Sequence, residues 1–297
     1  MWVSRVRRAE YKRVLTNLAA EGIDVLVLKG VALGSLVYPD VGTRPSSDLD
    51  VFVGPDGYDA TMNYLQTNHP QNYGDESRGI PKVRHSRGAV IDGYAVDIHW
   101  RLLWDRYDDQ PDRELHARSI ELPLGDTALR TIGLEDHLLH AIVHGLRPNH
   151  LSSVRWVVDS ALLIGTGLIR WDLFRQIVCD RRVGGVVARG LGLLRENFDV
   201  EVPAGLIEQL SHADTRMWNW ADNLPRVNHR LRVQNYLSQY VAAYILGSWN
   251  WSVRDKAIRY REFITSILEG GEAHRLEQSG FLPKPVLSLP AGSEWLG

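Results

Sequence analysis

At about residues 131–133 the hydrophobic pattern of this chain passes from short strands mixed with helices to helical stripes alone. Ahead of the switch, Val25-Leu26-Val27-Leu28 is an unbroken apolar run bounded by Asp24 and Lys29-Gly30, the pattern of a buried strand. Leu49, Val51 and Val53 alternate with Asp48, Asp50 and Phe52, which predicts a second strand with its acids on one face. Ala89-Val90-Ile91 and Tyr94-Ala95-Val96 flank Asp92-Gly93, a hairpin signal, and the returning strand runs on through Asp97-Ile98-His99-Trp100. A further short hairpin is expected over residues 120–129. Helices are expected near the N-terminus, with Gly22 as the stop, and over residues 31–38 and 58–68. Gly54-Pro55-Asp56-Gly57 reads as a break between strand and helix.

Beyond the switch, Leu138, Leu139, Ile142 and Val143, then Val154, Val157, Val158, Ala161 and Leu162, fall on helical stripes. Helical patterns continue to about residue 268, with interruptions at Gly184-Gly185 and Leu224-Pro225. The expected architecture is therefore α+β: a mixed-sheet domain over 1–131, a helical domain over 132–270, and a loosely ordered tail rich in Gly, Ser and Pro over 271–297.

Composition narrows the function classes. A chain of 297 residues, 44% apolar and 24% charged, can bury a core without disulfides or structural metal. Its single cysteine, Cys179, excludes an internal disulfide and a cysteine zinc site, and points to a reducing, cytoplasmic setting. Cys179 sits among Phe174, Ile177 and Val178 and reads as a small buried hydrophobe. A net charge of −2 does not suit nucleic-acid binding by overall positive charge. The basic N-terminal segment lacks the continuous apolar stretch of a secretory signal. The most apolar window, residues 154–171, carries Arg155, Asp159 and Arg170, so no membrane span is expected.

The chemistry gathers in the first half. Asp48 and Asp50, two apart on a strand, point to one side and repel each other unless a cation lies between them. Hard carboxylate oxygens suit Mg²⁺ or Mn²⁺. Alone, such a pair is most often a solvated face, and three neighbours change the balance. Lys29-Gly30 stands at a strand-to-helix junction, where backbone N–H groups bind phosphate and glycine permits close approach. The loop Gly42-Thr43-Arg44-Pro45-Ser46-Ser47 runs directly into Asp48 and brings a guanidinium and hydroxyls to where a triphosphate would lie. Asp97 interrupts an apolar strand and needs a partner. His99 shares its face and either orients Asp97 or a substrate, or packs as a core histidine. Taken singly, Lys29-Gly30 is an ordinary strand end and Arg44 a loop arginine paired with a nearby acid. Together they are the parts of two-metal phosphoryl transfer.

Other features have milder readings. His137, His140 and His144 share a helical face at spacing compatible with a metal, and packing against the sheet domain is the readier explanation. Trp218, Trp220, Trp249 and Trp251 are read as packing residues that could also stack a base. Arg181, Arg182, Arg226, Arg230 and Arg232 give the helical half a basic character, by default a solvated face, which would suit an anionic acceptor if it lined a cleft.

Leu28-Lys29-Gly30, Tyr38-Pro39, Arg44, Asp48-Leu49-Asp50 and Val96-Asp97-Ile98-His99-Trp100-Arg101 resemble the uncharacterised nucleotidyltransferase family of the DNA-polymerase-beta-type superfamily. Glu135-Asp136-His137-Leu138-Leu139-His140 with His144, and Arg155-Trp156-Val157-Val158-Asp159, resemble its helical half. The resemblance spans roughly residues 20–165. It implies a polymerase-beta-type mixed-sheet catalytic domain followed by a helical domain. It also implies metal at Asp48, Asp50 and Asp97, and phosphate binding at Lys29 and Gly30. One departure is that the superfamily's Gly-Ser after the first strand is Lys29-Gly30 here. Gly34-Ser35 also fits the broad spacing but falls inside a helix, so Lys29-Gly30 is preferred.

The resulting expectation is a Mg²⁺- or Mn²⁺-dependent enzyme that moves a nucleoside monophosphate from an NTP to a hydroxyl or phosphate of a small-molecule or peptide acceptor. Asp48, Asp50 and Asp97 are catalytic and hold metal. Lys29, Gly30, Arg44, Ser47 and His99 bind the nucleotide. A toxin-type enzyme acting on tRNA or protein, and a non-catalytic nucleotide-binding protein of the same fold, are the alternatives. Base, acceptor, pathway and oligomeric state stay open.

Overall fold

The computed structural model describes residues 2–40, 42–72, 85–103, 109–123, 129–146 and 154–213, all within one compact unit. Trp218, Trp220, Trp249, Trp251, Arg226, Arg230, Arg232 and the tail expected from residue 271 lie outside the described residues.

The strands are β1 (Leu26–Val27), β2 (Leu49–Phe52), β3 (Ser86–Ile91), β4 (Tyr94–His99), β5 (Ile120–Leu122) and β6 (Leu129–Thr131). Among the described residues they form one mixed sheet in the order β3-β4-β2-β1-β6-β5. β1 runs antiparallel to β2 and parallel to β6, β2 runs parallel to β4, and β3–β4 and β5–β6 are antiparallel pairs. The Asp92-Gly93 turn has φ of 53° and 86°, both left-handed, which matches the twist of the two strands it joins.

The helices are α1 (Trp2–Ala20), α2 (Lys29–Leu36), α3 (Gly54–Asn68), α4 (Gln110–Arg113), α5 (Leu134–Gly145), α6 (Arg155–Gly165), α7 (Trp171–Asp180), α8 (Gly184–Phe198) and α9 (Leu206–Ala213). Two differ from the sequence reading in ways that matter. α2 begins at Lys29, not Val31, and Lys29 itself has a left-handed φ of 48°. The Gly54-Pro55 break is instead the start of α3, because a first-turn proline lacks only an N–H that has no partner within the helix.

Both faces of the sheet are covered, so all four β2 residues are buried rather than alternating. One face carries Leu49, Val51, Val96 and Ile98 against Val14, Leu15 and Leu18 of α1 and Met62 and Leu65 of α3. The other carries Leu26, Leu28 and Phe52 against Leu138, Leu139 and Ile142 of α5, and continues to Phe174 and Leu191. Each such fully buried leucine or isoleucine contributes about 1.5–3 kcal/mol. α5 is the central helix, packed against α6, α7 and α8. Cys179 is half-buried against this second cluster as an apolar filler.

Arg181 corrects the expectation of a basic face. Its Nη1 lies 2.8 Å from Asp112 Oδ1 and its Nη2 donates to the Pro111 carbonyl, with both charged side chains 2% exposed. Burial pushes the Asp112 carboxyl up, and Arg181 works against that shift. The arginine is a buried strut, while Arg182 is exposed. Among the described residues, no helix is long and apolar enough to cross a membrane.

Candidate active site

The register of two strands builds the site. β2 and β4 are parallel neighbours with Asp50 opposite Asp97. Partners in such a pair project to the same face, here the face covered by the α5 cluster. His99, two residues beyond Asp97, returns to that face. Its Nε2 lies 3.0 Å from Asp97 Oδ2 and 3.4 Å from Asp50 Oδ1. The Leu28 N–H donates to the Asp50 carbonyl, which docks the start of α2 against β2. Lys29 Nζ then reaches 2.5 Å from Asp50 Oδ1, 3.2 Å from His99 Nε2 and 3.8 Å from Asp97 Oδ2.

These contacts decide the charge state of the acids. Burial alone would raise both carboxyl pKa values. The hydrogen bond and charge of His99, with the charge of Lys29, more than offset it, and both carboxyls sit below the usual range. Both are therefore ionised at neutral pH and available to a cation.

Asp48 lines the same cavity as Asp50 and Asp97, from the loop that leads into β2. It lies one residue ahead of β2, half-buried, with Ser47 Oγ donating to its Oδ1 at 3.2 Å. Among the described residues, Asp50, Asp97 and His99 form a potential ligand set whose ligand atoms all lie within 4.8 Å of one another.

The loop ahead of Asp48 is held by two devices. Arg44 donates from Nε and Nη2 to the two Asp159 oxygens at 2.8 and 2.9 Å, and Tyr38 Oη donates to Asp159 at 2.6 Å. The guanidinium that was expected to face a triphosphate is thus committed to an acid of α6. Gly30 supplies the second device. A Cβ there would lie 2.6 Å from Ser46 Oγ, so only glycine lets the loop close onto the first turn of α2. Ser46 Oγ in turn donates to the Asp48 carbonyl. Gly34 and Ser35 lie within α2, and the Ser35 hydroxyl donates to the Val31 carbonyl.

All of this opens into a cavity of about 540 Å³. Lys29, Gly30, Arg44, Ser47, Asp48, Asp50 and Asp97 line one side, and His137, His140, His144, Arg155, Trp156 and Asp159 line the other. His99 sits behind the acids, 1% exposed. The volume falls within the range of about 300–1,000 Å³ typical of small-ligand sites. The histidines of α5 face this cavity by different means. His137 is fully buried with its Nε2 2.8 Å from Thr131 Oγ1, and burial pushes its pKa down to about 3. The His140 and His144 rings meet edge to face at 5.7 Å. Trp156 reaches the wall because Gly145 offers no Cβ to block it. His85 and Ser86 also line the cavity, and nothing in their sequence context marks them.

The geometry fits a divalent cation. Two ionised carboxylates and an imidazole converge, and the Lys29 ammonium stands in for the positive charge they require. The chain belongs to the uncharacterised nucleotidyltransferase family, a model of which matches residues 4–199. Among solved structures it is similar to an antigenic nucleotidyltransferase-like protein from Paracoccidioides brasiliensis. The identity is 14% and the TM-score 0.43, over 67% of this chain and 95% of that one. No curated protein matches the chain.

Proposed function

We propose that this protein is a metal-dependent nucleotidyltransferase with a polymerase-beta-type arrangement. It would transfer a nucleoside monophosphate from an NTP to a hydroxyl or phosphate of a small-molecule or peptide acceptor and release pyrophosphate. The observation that carries this reading is the register pair Asp50–Asp97, with Lys29 against it, at the wall of a nucleotide-sized cavity. The catalytic half is residues 1–131 and the acceptor half residues 132–270. The single cysteine suits a cytoplasmic setting.

When bound, the divalent ion, Mg²⁺ or Mn²⁺, neutralises the triphosphate and polarises the reacting phosphorus. Asp50, 6% exposed, holds it from within, and Asp97, 29% exposed, is the carboxylate that an acceptor hydroxyl can approach. Asp48 and Ser47 line the route along which the triphosphate lies. Lys29 and the backbone N–H groups of the first turn of α2 hold phosphate oxygens. His99 orients Asp97. Arg44, bound to Asp159, fixes the loop rather than gripping phosphate directly. Trp156, His140 and His144 form the wall against which base or acceptor rests.

The alternative of a tRNA acceptor requires a basic surface with many phosphate contacts. Burial of Arg181 removes one of its expected contacts, which favours the small acceptor. The test incubates purified protein with labelled NTPs, Mg²⁺ or Mn²⁺, and small-molecule, peptide and small-RNA fractions. Metal-dependent pyrophosphate release that disappears in Asp50→Asn is expected. An Asp50→Asn variant that turns over like the parent refutes the assignment.

A further inference from the structure

The ligand set contains an imidazole where a third carboxylate was expected, and this bears on which ion the site takes. His99 Nε2 lies 3.0 Å from Asp97 Oδ2 and 3.4 Å from Asp50 Oδ1. In octahedral coordination with ligands about 2.1 Å from the ion, neighbouring ligand atoms are separated by about 3 Å. At 3.0 and 3.4 Å, hydrogen-bond contacts in the ion-free protein, the imidazole nitrogen is near enough to both acids to share one ion with them after small side-chain shifts. Asp48, the carboxylate that would keep the site all-oxygen, sits ahead of β2 and outside this set.

Two further observations point the same way. Lys29 Nζ contacts Asp50 Oδ1 and His99 Nε2, the very atoms an ion would need, so a positive charge already occupies the position. A neutral imidazole has one lone pair, and the Lys29 N–H and a metal ion compete for it. His99 is also 1% exposed, and its Nδ1 is buried with no hydrogen-bond partner among the described residues. In contact with the carboxylates alone Nε2 carries the ring proton; an ion would take the Nε2 lone pair with the proton moved to Nδ1, where no group among the described residues opposes it.

We propose that His99 is the third ligand of this site and that the ion it selects is Mn²⁺ rather than Mg²⁺. The proposal rests on the reading of Asp50 and Asp97 as cation ligands. Magnesium is a hard ion that prefers oxygen and gives up water reluctantly, whereas nitrogen ligation favours the transition-metal ions. The ion takes the Nε2 lone pair, and the displaced Lys29 ammonium turns into the cavity toward the triphosphate.

The test uses the full chain and Mn²⁺ alone. Bound Mn²⁺ is counted by loss of its free electron-paramagnetic-resonance signal, with Mg²⁺ as competitor, and electron spin-echo modulation reads any ¹⁴N coupling to the bound ion. Mn²⁺ is expected to outcompete Mg²⁺ by on the order of a hundredfold. A ¹⁴N coupling is expected in the parent and not in His99→Gln. In His99→Asp, an all-oxygen site, the preference should shrink at least tenfold.

Absence of ¹⁴N coupling in the parent, its persistence in His99→Gln, or equal selectivity in parent and His99→Asp overturns the proposal. If His99→Asp does not fold, the parent and His99→Gln spectra still decide. The catalytic reading fails separately. A ¹⁴N-coupled Mn²⁺ site without nucleotidyl transfer leaves this inference intact. Transfer with Mg²⁺ and no nitrogen coupling leaves only the enzyme.

Discussion

Lys29 stands 2.5 Å from Asp50 on one side of the site and 3.8 Å from Asp97 on the other, so the ammonium and a divalent ion contend for the same carboxylates. Lys29→Met should tighten Mn²⁺ binding in the absence of nucleotide, by about tenfold if roughly 1.4 kcal/mol of repulsion is relieved. The same variant should bind NTP more weakly, because the phosphate loses a cation. Isothermal titration with each ligand separately measures both effects. Weaker metal binding in Lys29→Met would show that the lysine supports the ion rather than opposing it.

Asp159→Ala tests the clamp on the loop ahead of Asp48. The Arg44 and Asp159 side chains are 11% and 6% exposed, so truncating one leaves a largely buried charge unpaired. The expected loss is about 3 kcal/mol of stability. The double variant Arg44→Met with Asp159→Leu should recover much of it. Urea denaturation of the three proteins is the measurement, and a loss near zero in Asp159→Ala would mean that the pair is no more than a surface contact.

Gly30→Ala places a methyl group 2.6 Å from Ser46 Oγ. The loop must shift, at a cost of about 1–3 kcal/mol. Adding Ser46→Gly removes the obstructing atoms and should restore a large part of the melting temperature. If the single variant melts with the parent, the close approach of loop and helix carries no constraint.

His137 predicts a specific acid sensitivity. Burial holds its folded-state pKa at about 3, against an ordinary value of 6.5. The unfolded chain therefore binds the proton first. Stability is fully present above about pH 6.5 and falls by up to about 1.4 kcal/mol per pH unit from this residue as pH drops toward 3. Denaturation curves at pH 7, 6, 5 and 4 should show a shallower decline in His137→Gln than in the parent. Identical slopes would place the histidine's titration elsewhere. Asp50 and Asp97, whose pKa values are lowered, add their own loss at lower pH, from the ordinary carboxylate range downward.

Local patterns made part of this structure legible in the sequence. The Asp92-Gly93 turn, the alternation around Asp50 and Asp97, and the helical stripe of α5 each declare themselves within a few residues. The start of α2 at Lys29 did not, because a left-handed lysine opening a helix has no compositional mark. Gly54-Pro55 carried two opposite meanings, break or first turn, and tertiary packing chose between them. Asp112–Arg181 and Arg44–Asp159 pair across 69 and 115 residues, and no period reports a partner that distant. His99 was visible as a neighbour of Asp97, but its approach to Asp50 depended on a strand register that the sequence does not state.

The reach of the Arg44–Asp159 clamp has a consequence for the protein as it is made. Its two ends are 115 residues apart, and Tyr38 meets the same acid from 121 residues away. At synthesis rates of about 5–20 residues per second, Arg44 leaves the ribosome on the order of ten seconds before Asp159 does. During that interval the carboxylates of β2 and β4 can already be laid side by side, while the wall carrying Trp156 does not yet exist. A nascent chain whose β2 and β4 pair at that stage has the acids without the enclosure. The timing of translation, not only the fold, thus bears on the moment at which the cavity first closes.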